Sequence, residues 1–306
     1  MLLSVVIPTY NRAHLISKAI KSVLVQKYSN WELIIADDAS TDNISIVLGQ
    51  FIDQRIKYFR TNTNGGNAIA RNLGIKHASG DYVLFLDSDD QFHPDFLQEM
   101  NYLIKKSFHP DFLWCNVNRV SVSGKITPLT FKSGWKPQDA NDAYTYFLKG
   151  IYFGTDFGFT VKRTVFDKVG MFDEQLRVSV DTDFILRLAQ YNCTFSYTNK
   201  ILIDTYDHTG LRVRNNIKQK AFSYRIIYAK HKSTIENSHS LKYIWLHKLM
   251  WLHYAANEKE IARCYLNKLF KYKYFKSVLI GLLYELFPCK VAVLIHKKTS
   301  KIFMMA

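Results

Sequence analysis

The run Tyr82-Val83-Leu84-Phe85-Leu86, preceded by Gly80-Asp81 and closed by Asp87-Ser88-Asp89-Asp90, constrains the fold of this chain more than any other feature. A short, continuous apolar run of aromatic, β-branched and aliphatic residues reads as a strand buried on both faces, the habit of parallel sheets. Open α/β sheets bind their ligands outside the carboxyl ends of such strands. In an extended segment side chains at i and i+2 share a face, so Asp87 and Asp89 are expected to converge on one cation while Ser88 faces elsewhere. Hard carboxylate oxygens suit Mg2+ or Mn2+, shared with substrate phosphates. An acidic turn with Asp90 capping the next helix accounts for the tetrad equally well when it stands alone.

The same grammar repeats through the first half. Strand-like runs at 4–7, 31–36 and 56–60 alternate with helical patterns at 13–26, 44–51 and 67–77, and a further helix is expected at 93–106. This alternation is the signature of βαβ units. Polar or acidic residues stand where the first, second and fourth strands end, which places three loops on one rim. From 111 to 200 the pattern is mixed, with strands expected at 112–117 and 158–162 and a helix at 182–191.

Charge divides the chain. Of its 306 residues, 1–210 balance 22 Lys+Arg against 22 Asp+Glu, whereas 211–306 carry 19 against 4, so the whole net charge of +15 lies in the last part. That asymmetry marks a boundary near 210 and a polyanionic partner for the basic segment beyond it. Helices are expected at 222–231, 241–254, 258–270 and 278–286, with Lys271-Tyr272-Lys273-Tyr274-Phe275-Lys276 interleaving cations and rings. A single basic helix is a solvated face by default. Several in series, with Trp245 and Trp251 and few acids, point to a surface lying on anionic lipid. No RNP-like, zinc-finger or helix-turn-helix signature accompanies them, so no nucleic acid is expected. The four cysteines, Cys115, Cys193, Cys264 and Cys289, lack CxxC spacing and read as reduced core thiols of a cytosolic protein. Residues 1–8 read as a first strand and not a leader. The longest apolar stretch, 277–295, is interrupted by Glu285, Pro288 and Lys290 and falls short of a span.

Four segments combine into one pattern: Val6-Ile7-Pro8-Thr9-Tyr10-Asn11-Arg12; Ile35-Ala36-Asp37-Asp38-Ala39-Ser40-Thr41-Asp42; Asn64-Gly65-Gly66 with Ala70-Arg71-Asn72-Leu73-Gly74; and Phe85-Leu86-Asp87-Ser88-Asp89-Asp90. In order and spacing they resemble glycosyltransferase family 2. Gly170-Met171-Phe172-Asp173-Glu174 is similar to that family's G-x-F-D-E, and Asp181-Thr182-Asp183-Phe184 with Leu186-Arg187 to its E-D segment, with Val180 where the acid is customary. The resemblance spans about 1–210. It implies an α/β, GT-A, Rossmann-like, mostly parallel sheet flanked by helices, with a nucleotide-sugar half over 1–110, an acceptor half over 111–210 and a basic helical appendage over 211–306.

The resemblance also implies roles. Pro8, Thr9, Tyr10 and Arg12 line the base and ribose, Asp38 accepts from the base, and Arg71 favours phosphate from a helix entered through a glycine pair. Asp87 and Ser88 meet the ribose side of the donor, and Asp89 coordinates a divalent Mn2+ or Mg2+ that bridges the diphosphate. Asp181 is the base that takes the acceptor's proton, with Asp183 its nearest competitor, although an N-cap at Asp181-Thr182 is compatible with that role. Asp90, His208 and Arg212 complete the candidates, His208 reading first as a plain loop histidine. The implied activity is inverting transfer from a nucleotide-diphosphate sugar, such as a UDP-sugar, to a saccharide or polyprenyl-linked acceptor in bacterial surface polysaccharide synthesis, on the cytoplasmic face as a peripheral membrane protein. Two alternatives stay open. A sugar-nucleotide nucleotidyltransferase would carry G-G-x-G-x-R-L after the first strand, where this chain has Pro8-Thr9-Tyr10-Asn11-Arg12. A lipid- or nucleic-acid-binding protein with a degenerate GT-A domain would use the basic tail alone.

Overall fold

The computed structural model describes residues 1–130, 140–150, 157–208 and 216–286. The chain divides into two compact units, Met1–Gln175 with Val180–Gly210, and Leu176–Ser179 with Leu211–Ala306.

In the first unit β1 (Leu3–Thr9), α1 (Ile16–Leu24), β2 (Trp31–Asp37), α2 (Ile44–Leu48), β3 (Ile56–Arg60), α3 (Asn67–His77) and β4 (Tyr82–Phe85) follow in strand–helix alternation. β1 pairs in parallel with β2 and β4, and β2 with β3. Every residue of β1, β2 and β4 is buried, including Ser4 of β1 and Glu32 of β2 within their largely apolar runs, and exposed positions appear in the edge strand β3. β5 (Gln91–Phe92), α4 (Phe96–Lys106), β6 (Phe112–Val120), β7 (Ile126–Leu129), α5 (Ala140–Lys149), β8 (Thr160–Lys162), α6 (Val165–Val169), α7 (Val180–Gln190) and β9 (Phe195–Tyr206) complete the unit.

The sheet runs β3-β2-β1-β4-β8-β6-β9-β5, with β7 attached to β6. It is parallel from β3 to β4 and mixed beyond, because β8 runs antiparallel to both β4 and β6, whereas β6 and β9 are parallel. The order sets β1, β2 and β4 side by side, so their carboxyl ends share one rim. Neither β5 nor β9 announces itself locally. β5 is a two-residue strand paired antiparallel to β9, and β9 passes through the turn-like Asn199-Lys200, with an irregular register where it meets Cys115 and Asn116 of β6.

The second unit holds α8 (Ile217–Lys230), α9 (Lys232–Asn237), α10 (His239–Ala255), α11 (Lys259–Lys271) and α12 (Phe275–Leu286). Asn216 and Ser238 cap α8 and α10 by accepting from the N–H groups of Gln219 and Leu241. Trp245, expected on a lipid-facing side, is instead interior, packed beside the rings of Tyr224 and Tyr228. Trp251 likewise packs against the buried cluster of Ala221, Leu252 and Ala256. Cys115 and Cys193 are buried thiols, whereas Cys264 is exposed and so is not a core residue; Cys289 lies outside the described residues. Among the described residues no helix is long and apolar enough to cross a membrane.

Candidate active site

The rim begins where β1 ends. Pro8 lies in register with Ala36 of β2, and Tyr10, just beyond the strand, leaves its ring 43% exposed. Thr9 Oγ1 is buried without a hydrogen-bond partner among the described residues. Asn11 takes a left-handed φ of 51°, a conformation Asn tolerates better than most residues. Its N–H donates to Ser40 Oγ (2.8 Å), its Oδ1 accepts from the Thr41 N–H (2.7 Å), and the Ala13 N–H donates to Asp42 Oδ2 (2.8 Å). The loops after β1 and β2 are therefore laced together. Half-buried Arg12 lies within this lacing, and its carbonyl accepts from Leu15 and Ile16 at the entry to α1.

Asp38 has a different occupation from the one its motif implies. Its Oδ1 accepts from the Gly65 N–H (2.9 Å) and Thr61 Oγ1 (3.3 Å), and its Oδ2 from Asn64 Nδ2 (2.9 Å) and the Gly66 N–H (2.6 Å). The Thr61 hydroxyl has one proton and a nearer acceptor in the Thr63 carbonyl (3.0 Å), so Gly65, Gly66 and Asn64 are the donors through which Asp38 pins the loop between β3 and α3. The loop needs its glycines: Gly66 sits at φ 97°, and a Cβ on Gly65 would lie 2.2 Å from Ile69 Cδ1. Asp37 is equally engaged, accepting from Ser40 and from Tyr58 Oη (2.7 Å).

Arg71 is buried on α3 and donates Nη2 to Asp87 Oδ1 at 2.9 Å. The side chain expected at phosphate thus also steers an acid of the tetrad. That tetrad is a turn and not an extended segment, which overturns the expected i, i+2 convergence: Asp87 points to Arg71, and Asp89 Oδ2 meets His208 Nε2 at 2.8 Å. Ser88 and Asp90 are buried, and Asp90 Oδ1 accepts from the Tyr206 N–H at 2.9 Å, so Asp90 anchors the end of β9 beside the site and does not cap α4. His208, read from sequence as a loop histidine, is the partner of Asp89. Arg212 lies outside the described residues.

The first turn of α7 carries both remaining acids. Asp183 is fully buried and paired to Arg187 Nε at 2.8 Å, while the Arg187 guanidinium also donates to the carbonyls of Val169 (2.7 Å) and Met171 (2.7 Å). Asp183 is a structural group. Asp181 is half-buried, its Oδ1 accepts from the Thr182 N–H at 2.8 Å, and its Oδ2 makes no hydrogen bond among the described residues. Burial pushes the Asp87 carboxyl above the usual carboxylate range. Arg71 opposes this, and the charges of Asp89 and Asp181 add to it. Asp89 and Asp181 therefore lie within electrostatic reach of Asp87, and three acids from two segments share one environment.

Among the described residues no group of three or more His, Cys, Asp or Glu side chains could hold a metal by itself. Asp89, with Asp87 near it, offers the one or two carboxylates taken by a cation that completes its shell with water and substrate phosphates. Sequence reasoning passed over Asn72, although it lies inside the recognised Ala70–Gly74 motif. A buried amide on a helix against a sheet must find partners, and that rule was the available signal.

The model of the family described as Glycosyl transferase family 2 matches residues 4–170. The Escherichia coli protein WfgD, named as a UDP-Glc:alpha-D-GlcNAc-diphosphoundecaprenol beta-1,3-glucosyltransferase, is 40% identical over 129 residues, 41% of this chain and 50% of that one. The first sequence relatives are matched over 19%, 58% and 50% of their own lengths. In structure the chain is similar to S. aureus TarS 1-349 in complex with UDP-GlcNAc, at TM-score 0.63 and 22% identity, covering 83% of this chain and 73% of that one. It is also similar to the mannosyltransferase PcManGT from Pyrobaculum calidifontis in complex with GDP-Man and Mn2+, at TM-score 0.55 and 16% identity, over 98% and 87%. Both likenesses show the fold, an α/β GT-A architecture with a curled mixed sheet. With the family's sequence model extending over more than half its length, this chain belongs to glycosyltransferase family 2.

Proposed function

We propose that the chain is an inverting glycosyltransferase, moving a sugar from a nucleotide-diphosphate donor, preferentially a UDP-sugar, to a hydroxyl of a saccharide or polyprenyl-diphosphate-linked acceptor in bacterial surface polysaccharide assembly. The observation that carries this reading is the pairing of Arg71 with Asp87 at the carboxyl end of β4, with Asp89 and Asp181 within electrostatic reach of Asp87. The named activities of WfgD and the nucleotide in the TarS complex support the donor and acceptor classes. We assign donor binding to residues 1–110 and acceptor binding to 111–210.

In this mechanism the acceptor hydroxyl attacks the anomeric carbon from the face opposite the diphosphate. Asp181 Oδ2 takes the hydroxyl proton as the new carbon–oxygen bond forms, and the old one breaks with its electron pair leaving on the nucleoside diphosphate. A positioned carboxylate base contributes about 10²- to 10⁴-fold. Arg71 holds Asp87 and brings positive charge toward the diphosphate, while Thr9 and Tyr10 offer a hydroxyl and a ring face to the nucleoside. Asp89, oriented by His208, would hold Mn2+ or Mg2+, and a bound cation supplies Lewis-acid neutralisation of the departing diphosphate. The test is a binding panel of UDP, GDP, CMP and dTDP with and without Mn2+, followed by donor hydrolysis. UDP binding that strengthens with Mn2+ is expected, and no binding of any of the four would remove the reading.

The second unit supports a membrane-surface partner for the acceptor lipid. Leu279, Leu282 and Leu286 lie at i, i+3 and i+7 on α12 and are 65%, 46% and 77% exposed, while Ile280 and Tyr284 on its other side are buried. Phe270, at the end of the preceding helix, is 64% exposed. The four acids of this region all have partners: Glu236 accepts from Tyr228, Glu258 pairs with His253, and Glu260 and Glu285 pair with Arg263. An exposed apolar helix face within a region of 19 Lys+Arg against 4 Asp+Glu suits an anionic lipid headgroup layer.

A further inference from the structure

We infer that Asn72 and Phe172 form a clasp that sets the distance between the proposed base and the donor site, with Asn72 acting as a positioning residue; this rests on the glycosyl-transfer reading above. Asn72 is buried on α3, next to Arg71. Its Nδ2 donates to the Phe172 carbonyl (2.9 Å) and to Glu174 Oε1 (2.9 Å), and its Oδ1 accepts from the Phe172 N–H (3.0 Å). One side chain therefore satisfies both backbone groups of a residue a hundred positions away in sequence.

The ring of that residue packs against Phe85, Phe184 and Arg71, on three elements that carry residues of the site. Phe172 meets Phe85 edge-to-face at 5.4 Å, and Phe85 ends the strand that delivers Asp87 and Asp89. It packs on Phe184 at 4.7 Å, on the helix whose first turn carries Asp181. The Arg71 guanidinium lies over it at 5.7 Å. A second tie reinforces the first, since Arg187 of the same helix donates to the carbonyls of Val169, Gly170 and Met171 immediately before Phe172. Segment 169–174 is thus held from α3 on one side and α7 on the other. A shift of Phe172 moves Asp181 relative to Asp87 without touching the nucleoside pocket at Thr9 and Tyr10.

The test uses the full chain and compares wild type, Asn72→Asp, Asn72→Asp with Glu174→Gln, and Phe172→Leu. In Asn72→Asp the donor that faced Phe172 O and Glu174 becomes an acceptor, while acceptance from the Phe172 N–H survives; Glu174→Gln then returns a donor to the pair. Turnover is read as UDP release from the donor, and UDP affinity by calorimetry with Mn2+. Misplacement of about 1 Å costs up to ~10²-fold in rate, so kcat is expected to fall about 10- to 100-fold in Asn72→Asp with UDP affinity within about threefold. The double variant should recover most of that loss. Phe172→Leu, which keeps the backbone bonds, should show the same split and serves if Asn72→Asp does not fold. Equal falls in kcat and UDP affinity, an unchanged kcat, or no recovery in the double variant would overturn the clasp. Absence of UDP binding and turnover in the wild type would instead overturn the enzyme reading beneath it.

Discussion

In the sheet unit three acids crowd together: burial and the charges of Asp89 and Asp181 push the Asp87 carboxyl above the usual carboxylate range, against the pull of Arg71. In the helical unit the four acids are dispersed and each is matched by an Arg, His or Tyr, against 19 Lys+Arg over 211–306. Net charge alone does not distinguish these uses, because 1–210 is neutral overall. Position does. Carboxylates brought together invite a cation and a pyrophosphate, and an excess of cations over acids on helices invites an anionic surface.

The comparison is broken most sharply at α7, where two acids two residues apart do different work. Asp181→Asn is expected to lower turnover by about 10²- to 10⁴-fold with UDP affinity nearly unchanged, which single-turnover kinetics and calorimetry would check. Asp183→Asn should instead cost about 3 kcal/mol of stability in urea unfolding, because the buried Arg187 loses its counter-ion although three carbonyls still accept from it. Reversed phenotypes would exchange the two roles. At the rim, Asp89→Ala should abolish the Mn2+ dependence of UDP binding, and an undiminished dependence would move the ligand elsewhere.

Away from the rim, the sheet unit contains a fully compensated acid as a control. Burial raises the Glu32 pKa, but hydrogen bonds from Lys57, Ser4 and Ser79 outweigh it and bring the carboxyl down to about 2, from an ordinary 4.5. Its contribution is fully present above pH 4.5 and fades as pH falls toward 2. With Lys57 half exposed, the contribution is about 2 kcal/mol, so Glu32→Gln should flatten the acid limb of a stability profile by that amount. The smallest expected effect concerns the helical unit: Leu279→Glu with Leu282→Glu should reduce cosedimentation with phosphatidylglycerol vesicles several-fold while leaving UDP affinity intact. Unchanged cosedimentation would discard α12 as the lipid face.

Much of the architecture was legible in the chain itself. Largely apolar runs predict β1, β2 and β4 because strands buried on both faces favour apolar residues, and the polar or acidic residues that come after each run fall on one rim because parallel strands end together. Motif spacing likewise singles out Arg71, Asp87, Asp89 and Asp181. What the acids do was not legible, since a carboxylate's role depends on which donors face it. In sequence Asp38 reads as an acceptor for the base and Asp183 as the nearest competitor of Asp181, yet loop amides hold the one and Arg187 the other. The pairing of Asp89 with His208 spans 119 positions, and the hold of Asn72 on Phe172 spans 100. The antiparallel strands β5 and β9 also exist only through their pairing partners. Local pattern determined the strands, the rim and the residue types available there. Long-range hydrogen bonding, which needs both partners in place before either has a role, decided which of those residues are held and which stay open for chemistry.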